Sequence, residues 1–166
     1  QLLDAAEKLT ETNIVFQLIG AGMCKEALIK EVKKRNLSNI IFRDSVSKQE
    51  VFKYILASDA GASVLKKVDT FKTIYSNKTF DYMSCKRPIL LAIDGVSREL
   101  INNAKCGVYV EPENSDAIAV GAKELASKSA IEIQQMGEDG YMFAKEHFDR
   151  DKLAKEYANK IETILK

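Results

Sequence analysis

One short segment, Ser76-Asn77-Lys78-Thr79-Phe80-Asp81-Tyr82, combines residue types that could bind a phosphate and a diol. Ser76 or Asn77 is suited to cap a helix, which places Lys78 in the first helical turn. A lysine there opposes the helix dipole, and a phosphate bound by backbone amides and the ammonium group would resolve this conflict. Asp81 follows one turn later, where its carboxylate could accept hydrogen bonds from a ribose diol. The alternative is a surface ion pair between Lys78 and Asp81.

A second candidate is a glycine turn at Leu18-Ile19-Gly20-Ala21-Gly22, which ends a predicted strand and opens a predicted helix. Gly20 and Gly22 would let the backbone approach a ligand closely. No third glycine completes the GxGxxG dinucleotide fingerprint, so a tight strand-to-helix turn is the alternative. His147, the single histidine, lies near a predicted helix end, and we interpret it as a cation at a helix C-terminus.

The elements that would position these residues alternate between helices and short apolar strands. Strands are predicted at residues 14–19, 39–42, 60–65, 88–92 and 107–110. Helices are predicted at residues 1–10, 22–35, 48–57, 77–85, 97–104, 115–127, 131–147 and 151–166. Ser47 and Glu50 predict a capping box at the third helix. The polar stretch 66–75 is a candidate flexible loop.

This alternation predicts parallel βαβ units in a Rossmann-like, three-layer α/β/α fold with one parallel sheet. Such a sheet binds ligands beyond the carboxyl ends of its strands. Inner faces of the helices are predicted from their spacing, for example Ala27, Leu28, Val32 and Leu37 on the second helix and an apolar stripe from Leu153 to Leu165 on the last.

Composition indicates one soluble globular domain. The chain has 166 residues, of which 46% are hydrophobic and 30% charged. The net charge of +1 argues against a nucleic-acid binder. Cys24, Cys85 and Cys106 form no CxxC pair, and we interpret all three as buried thiols of a reducing compartment. No apolar run is long enough to span a membrane, and no signal peptide is visible.

Taken in order, these segments resemble the C-terminal domain of retaining glycosyltransferases of the GT-B fold (group 1, family 4), above all bacterial members of surface polysaccharide assembly. The resemblance covers nearly the whole chain. It is carried by Leu2 to Leu9, Phe16 to Gly22, Asn39 to Phe42 with Val46, Ala57 to Ala60, Ser76 to Met83, Lys86 to Leu90, Cys106 to Val110 and Glu146 to Asp149.

The resemblance implies a UDP- or GDP-sugar donor, transfer with retention, and no metal ion or other cofactor. Gly20 and Gly22 would line the donor cleft, and the loop containing Val46 would lie near the base. Asn77 and Lys78 would lie near the diphosphate or sugar, and Asp81 would bind the ribose hydroxyls. The enzyme would be cytoplasmic or at the inner face of the membrane.

Two departures from the family pattern alter these expectations. The EX7E motif of the family has two acidic positions, and Thr73 occupies the first of them here, which alters the usual contact to the donor sugar. The first strand of the domain and the N-terminal acceptor domain would both precede Gln1. We therefore expect residues 1–166 to be the donor-binding part of a larger enzyme, inactive alone. A sugar or lipid-linked acceptor, and any peripheral membrane contact, would belong to the other part.

Two other functions remain open from the sequence. A nucleotide-sugar epimerase of GT-B fold would need acid and base side chains in the cleft, and the sequence shows no clear carboxylate pair. A non-enzymatic Rossmann-like binding module would use Lys78 and Asp81 only as surface residues.

Overall fold

The structure is a computed structural model that describes residues 1–165, and helices and strands alternate in it as the sequence predicts. The strands are β1 (Phe16–Ile19), β2 (Ile40–Arg43), β3 (Gly61–Val64), β4 (Ile89–Ala92) and β5 (Gly107–Tyr109). The helices are α1 (Leu2–Glu7), α2 (Lys25–Lys34), α3 (Lys48–Leu56), α4 (Asn77–Ser84), α5 (Val96–Asn103), α6 (Ser115–Ser127), α7 (Ala130–His147) and α8 (Arg150–Ile164). The predicted C-terminal residue of the last helix, Lys166, lies outside the described residues.

The α/β fold with parallel strands is confirmed, but the strands form two sheets where the sequence predicts one. β1 pairs with β2, with Ile19 opposite Arg43. The other sheet has the order β3-β4-β5, with Val64 opposite Ala92. Within residues 1–165, β1 and β3 therefore each pair along one edge only. Apolar spacing predicts strands, but it does not say which strands become neighbours.

All four residues of the strand β4 are buried, because β4 lies at the centre of the three layers. Side chains alternate across a sheet. Leu90 and Ala92 accordingly pack with α6, whereas Ile89 and Leu91 pack in the cluster that contains Met83 and Leu100 of the helices on the other face. This continuous apolar run is the pattern of a strand covered by helices on both faces.

The helix α1 joins the two sheets. Leu3 and Ala6 pack in a cluster with Ile40 of β2, whereas Ala5 and Leu9 pack with Leu90 of β4. The three buried side chains of α1, with Leu9 just beyond its end, thus point into two cores, which holds the sheets together without a strand pair between them in residues 1–165.

Two predicted helix faces differ from the structure. On α2, Val32 is buried and Leu37 is buried just beyond the helix, but Ala27 and Leu28 are exposed, so the prediction for those two residues is wrong. The apolar stripe of α8 is present, but none of the described residues of this helix is buried. Helical spacing identifies an apolar face but not whether a partner covers it.

Candidate functional site

The loops after β1 and β2 lie side by side because these strands are parallel and in register up to Ile19 and Arg43. Lys25 ties them together. Its ammonium donates to the carbonyl oxygens of Gly20 (3.0 Å) and Arg43 (2.7 Å) and to the Asp44 carboxylate (2.8 Å). The hydrogen bond from Lys25 lowers the pKa of Asp44 below its ordinary value.

The two glycines of the first loop face open space. A Cβ atom added to Gly20 or Gly22 would meet no atom within 4 Å, and Gly20 has a φ of +155°. Neither glycine is therefore required by packing against another segment of residues 1–165. An open pocket of about 440 Å³ lies beside the second loop, and Val46 lines it. Its other lining residues are Lys25, Ile29, Phe42, Arg43, Asp44 and Tyr54.

The helix α4 is positioned by close packing on β3. Gly61 leaves room for the Tyr82 ring, since a Cβ atom at position 61 would overlap that ring. The Tyr82 hydroxyl donates to the Ala62 carbonyl oxygen at 3.2 Å, and burial raises the pKa of Tyr82. Met83 is fully buried on the inner side of the helix. The helix therefore has a fixed orientation, with Lys78 exposed and Asp81 partly buried.

The start of α4 lacks a side-chain cap. Ser76 is the N-cap residue, but its side chain makes no capping hydrogen bond and instead pairs with Ser63, with 3.2 Å between the two hydroxyl oxygens. Asn77 and Lys78 follow as exposed residues, and the first turn contains no acidic residue. In residues 1–165, Lys78 makes no ion pair. This end of the helix combines backbone amides, the positive dipole end and a free ammonium, which together suit an anion.

Asp81 forms its ion pair with Lys48 rather than with Lys78. The Lys48 ammonium lies 2.6 Å from both carboxylate oxygens of Asp81. The Asp81 side chain is 23% exposed, whereas that of Lys48 is 61% exposed. The alternative offered by the sequence, a Lys78–Asp81 pair on the surface, is not formed.

Lys48 also places the Val46 loop next to α4. Ser47 caps α3 through the predicted capping box with Glu50, so Lys48 is the first helical residue after that loop. Its ion pair with Asp81 then brings the pocket loop and the carboxylate to the same region. The site thus combines Val46 beside a pocket, the carboxylate of Asp81, and the uncapped start of α4 with the exposed Lys78. These groups match the chemistry of a base, a diol and a phosphate.

The segment between β3 and α4 makes more contacts than the flexible loop that the sequence predicts for residues 66–75. Residues Asp69–Thr73 form a 3-10 helix. Ser97 donates its hydroxyl to the Ile74 carbonyl oxygen at 3.0 Å, and Gly95 packs directly on the Lys72 backbone. The Thr73 hydroxyl donates to the Thr70 carbonyl oxygen at 3.1 Å, within the same turn.

An aromatic ring at the end of α7 packs against the start of α4. Phe148, at the end of α7, has its ring centre 5.4 Å from that of Tyr75 and 5.0 Å from that of Phe80. His147 ends α7 as predicted, close to the Phe143 ring, with Nε2 3.9 Å from a Glu146 carboxylate oxygen. The contacts of Phe148 hold Tyr75 and Phe80, at the start of α4, against the end of α7.

Sequence reasoning missed Lys48 and Lys25. Lys48 lies in the first turn of a helix, where a lysine opposes the dipole, so the argument that identified Lys78 applies to it equally. Its partner Asp81 is 33 residues away in sequence, and no local pattern connects them. Lys25 is likewise the first residue of α2, so the same argument applies to it.

The remaining candidates are distributed elsewhere. Cys85 and Cys106 are buried as predicted, but Cys24, the N-cap residue of α2 just after the glycine turn, is exposed, so the prediction for Cys24 is wrong. Among residues 1–165, no three histidine, cysteine, aspartate or glutamate side chains are grouped to hold a metal ion. None of the helices in this range is long and apolar enough to cross a membrane.

Residues 1–128 match the family described as glycosyl transferases group 1. No curated protein matches the sequence.

Several solved structures share the fold. A glycosyltransferase from Rickettsia africae ESF-5 has a TM-score of 0.81 at 20% identity, over 99% of this chain and 44% of that one. HepE from Anabaena in complex with UDP has a TM-score of 0.79 at 17% identity, over 98% and 44%. The C-terminal domain of the group 1 protein LpcC from Francisella tularensis has a TM-score of 0.72 at 21% identity, over 89% and 77%. The fold is that of the C-terminal, Rossmann-like domain of GT-B glycosyltransferases, and the chain spans less than half the length of the first two proteins.

Proposed function

The chain belongs to the group 1 glycosyl transferases, and from this premise we propose that it binds the nucleotide-sugar donor of a retaining, family 4 enzyme. The observation that carries the proposal is the start of α4. There an uncapped helix end and a free lysine, Lys78, stand one turn before the partly buried carboxylate of Asp81.

Each part of a donor nucleotide has a proposed partner. The base lies against the loop of Val46, and the ribose hydroxyls donate to Asp81. Asn77, Lys78 and the first amides of α4 hold the diphosphate without a metal ion. Gly20 and Gly22 line the cleft, consistent with the open space above them. We propose UDP ahead of GDP as the nucleotide, since the similar HepE structures contain UDP and UDP-glucose.

The reaction proposed is transfer of a sugar to an acceptor hydroxyl. The bond between the anomeric carbon and the diphosphate breaks, the hydroxyl oxygen bonds to that carbon with retention, and the hydroxyl proton is released. Lys78 and the amides of α4 would stabilise the negative charge of the leaving diphosphate. No residue of this chain is assigned as a catalytic acid or base.

We further propose that the chain is the donor-binding part of a longer enzyme, because it covers 44% of the two full structures compared. The acceptor would bind to the other part, and a further parallel strand would join the two sheets between β1 and β3. The whole enzyme would act in the cytoplasm or at the inner face of the membrane, in surface polysaccharide assembly.

Isothermal titration of the full-length protein with UDP, GDP and uridine tests this function, with Lys78→Ala as the variant. Loss of the ammonium should weaken UDP binding at least about tenfold and leave uridine nearly unchanged, since hydrogen bonds to charged groups contribute about 1.5–3 kcal/mol. Lys30→Ala, an exposed lysine of α2, is the matched control. Equal losses for UDP and uridine would remove Lys78 from the phosphate site.

A further inference from the structure

The carboxylate of Asp81 creates an electrostatic conflict in the proposed site. Asp81 lies four residues after Asn77, which is roughly 6 Å along a helix axis. A diphosphate at the start of α4 would therefore be bound close to a group of the same sign. At such a separation, repulsion between unit charges changes affinity by about tenfold.

Lys48 removes this conflict within the chain itself. Its ammonium contacts both oxygens of Asp81 at 2.6 Å, so the carboxylate is paired before any ligand arrives. Around the start of α4, the ammonium groups of Lys48 and Lys78 then accompany the carboxylate of Asp81. A carboxylate has about four lone-pair positions, so ribose hydroxyls can donate to Asp81 while Lys48 stays in place.

The placement of Lys48 is costly for the helix that carries it. As the first residue of α3, its positive charge lies at the positive end of the helix dipole. The capping box of Ser47 and Glu50 secures that helix start independently of Lys48, and the Lys48 ammonium also lies 5.3 Å from the centre of the Phe52 ring. The start of α3 therefore does not need a lysine at this position, and the short contact of the Lys48 ammonium is the one with Asp81 of α4.

We propose that Lys48 is a specificity-determining residue of the nucleotide site, which offsets the charge of Asp81 so that the site accepts a nucleoside diphosphate. This inference rests on the proposed function. Lys48 distinguishes charged nucleotides from uncharged nucleosides because it neutralises Asp81, and it does not recognise the base.

The test is isothermal titration of UDP and uridine into the full-length protein carrying Lys48→Met, with Lys48→Gln as a second neutral variant. UDP binding should weaken about tenfold, with uridine changed less than about twofold, because only UDP carries the repelled charge. Lys48→Arg should restore UDP binding. The loss should shrink in about 0.5 M salt, since salt screens exposed charges. Lys53→Met, which removes an exposed lysine at the other end of α3, should change neither affinity.

Three results would overturn the inference while leaving the proposed function intact. These are UDP binding in the Lys48 variants equal to that of Lys53→Met, equal losses for UDP and uridine, and tighter binding of both ligands. A wild-type protein that binds neither UDP nor GDP would refute the proposed function, and the inference would fall with it.

Discussion

Replacement of Gly95 by alanine should strongly destabilise the segment that leads into the candidate site. Gly95 has a φ of +79°, a conformation that residues with a Cβ atom rarely adopt. A Cβ atom there would also lie 2.6 Å from the Lys72 Cα and closer still to the Lys72 carbonyl oxygen. These are backbone atoms, so no side chain can rotate away to make room.

The size of the effect follows from two contributions. Gly95 has φ +79° and ψ −140°, a region that is adopted almost only by glycine, which costs about 1–3 kcal/mol for alanine. Overpacking against the Lys72 backbone costs about 1–3 kcal/mol. Ser97 holds the adjacent Ile74 by a hydrogen bond, which limits how far the segment can move to relieve the overlap. A total of about 3 kcal/mol corresponds to a Tm lowered by about 6–12 °C in a domain of this size.

Thermal unfolding followed by circular dichroism measures this shift, and Gly22→Ala is the matched control. Gly22 has open space around it and no positive φ, so alanine there should leave Tm equal or slightly higher. A Tm for Gly95→Ala within about 2 °C of the control would refute the reasoning, since it would mean that the segment moves aside at little cost.

Two further predictions concern charge and thiol chemistry. Arg35 donates to Asp4 at 2.7 Å, and this hydrogen bond lowers the pKa of Asp4 below its ordinary value of 3.8. The stabilisation is therefore present above pH 3.8 and is lost as the pH falls through the lowered pKa of Asp4. In urea unfolding, Arg35→Met should be less stable than wild type near neutrality, and this difference should shrink at about pH 3. In the native protein, an aromatic disulfide reagent should modify Cys24 alone, because burial raises the pKa of Cys85, and that of Cys106 to about 12. Rapid modification of all three thiols would contradict the burial of Cys85 and Cys106.

The parts of the fold predicted best from sequence are those determined locally. The capping box of Ser47 and Glu50 is present, and α6 has the predicted bounds because its cap and its apolar spacing agree. The division of the strands into two sheets could not be predicted, because it depends on which strands become neighbours. The exposure of Ala27 and Leu28 likewise depends on where the neighbouring elements end.

The candidate site was predictable only in part. Ser76 to Asp81 stands out because a cap, a lysine and a carboxylate follow one another within a single helix. The pairing of Asp81 with Lys48 is a tertiary contact between two helices, so the sequence favoured the nearer Lys78 as its surface partner. The exposure of Cys24 just after the glycine turn was missed for a similar reason, since the apolar residues beside it in sequence do not cover it.

The proposed function requires that Asp81 and the start of α4 bind a nucleoside diphosphate. The most direct test is calorimetric titration of the full-length protein with UDP and uridine, comparing wild type with Asp81→Ala and with Asp59→Ala, an exposed carboxylate, as the control. We expect Asp81→Ala to weaken uridine by at least about tenfold, because the ribose loses a hydrogen bond to a charged group. UDP should be weakened less than uridine, because Lys48, no longer paired with Asp81, then attracts the diphosphate. Unchanged affinity for uridine in Asp81→Ala, in a folded protein whose wild type binds uridine and UDP, would mean that Asp81 does not contact the ribose.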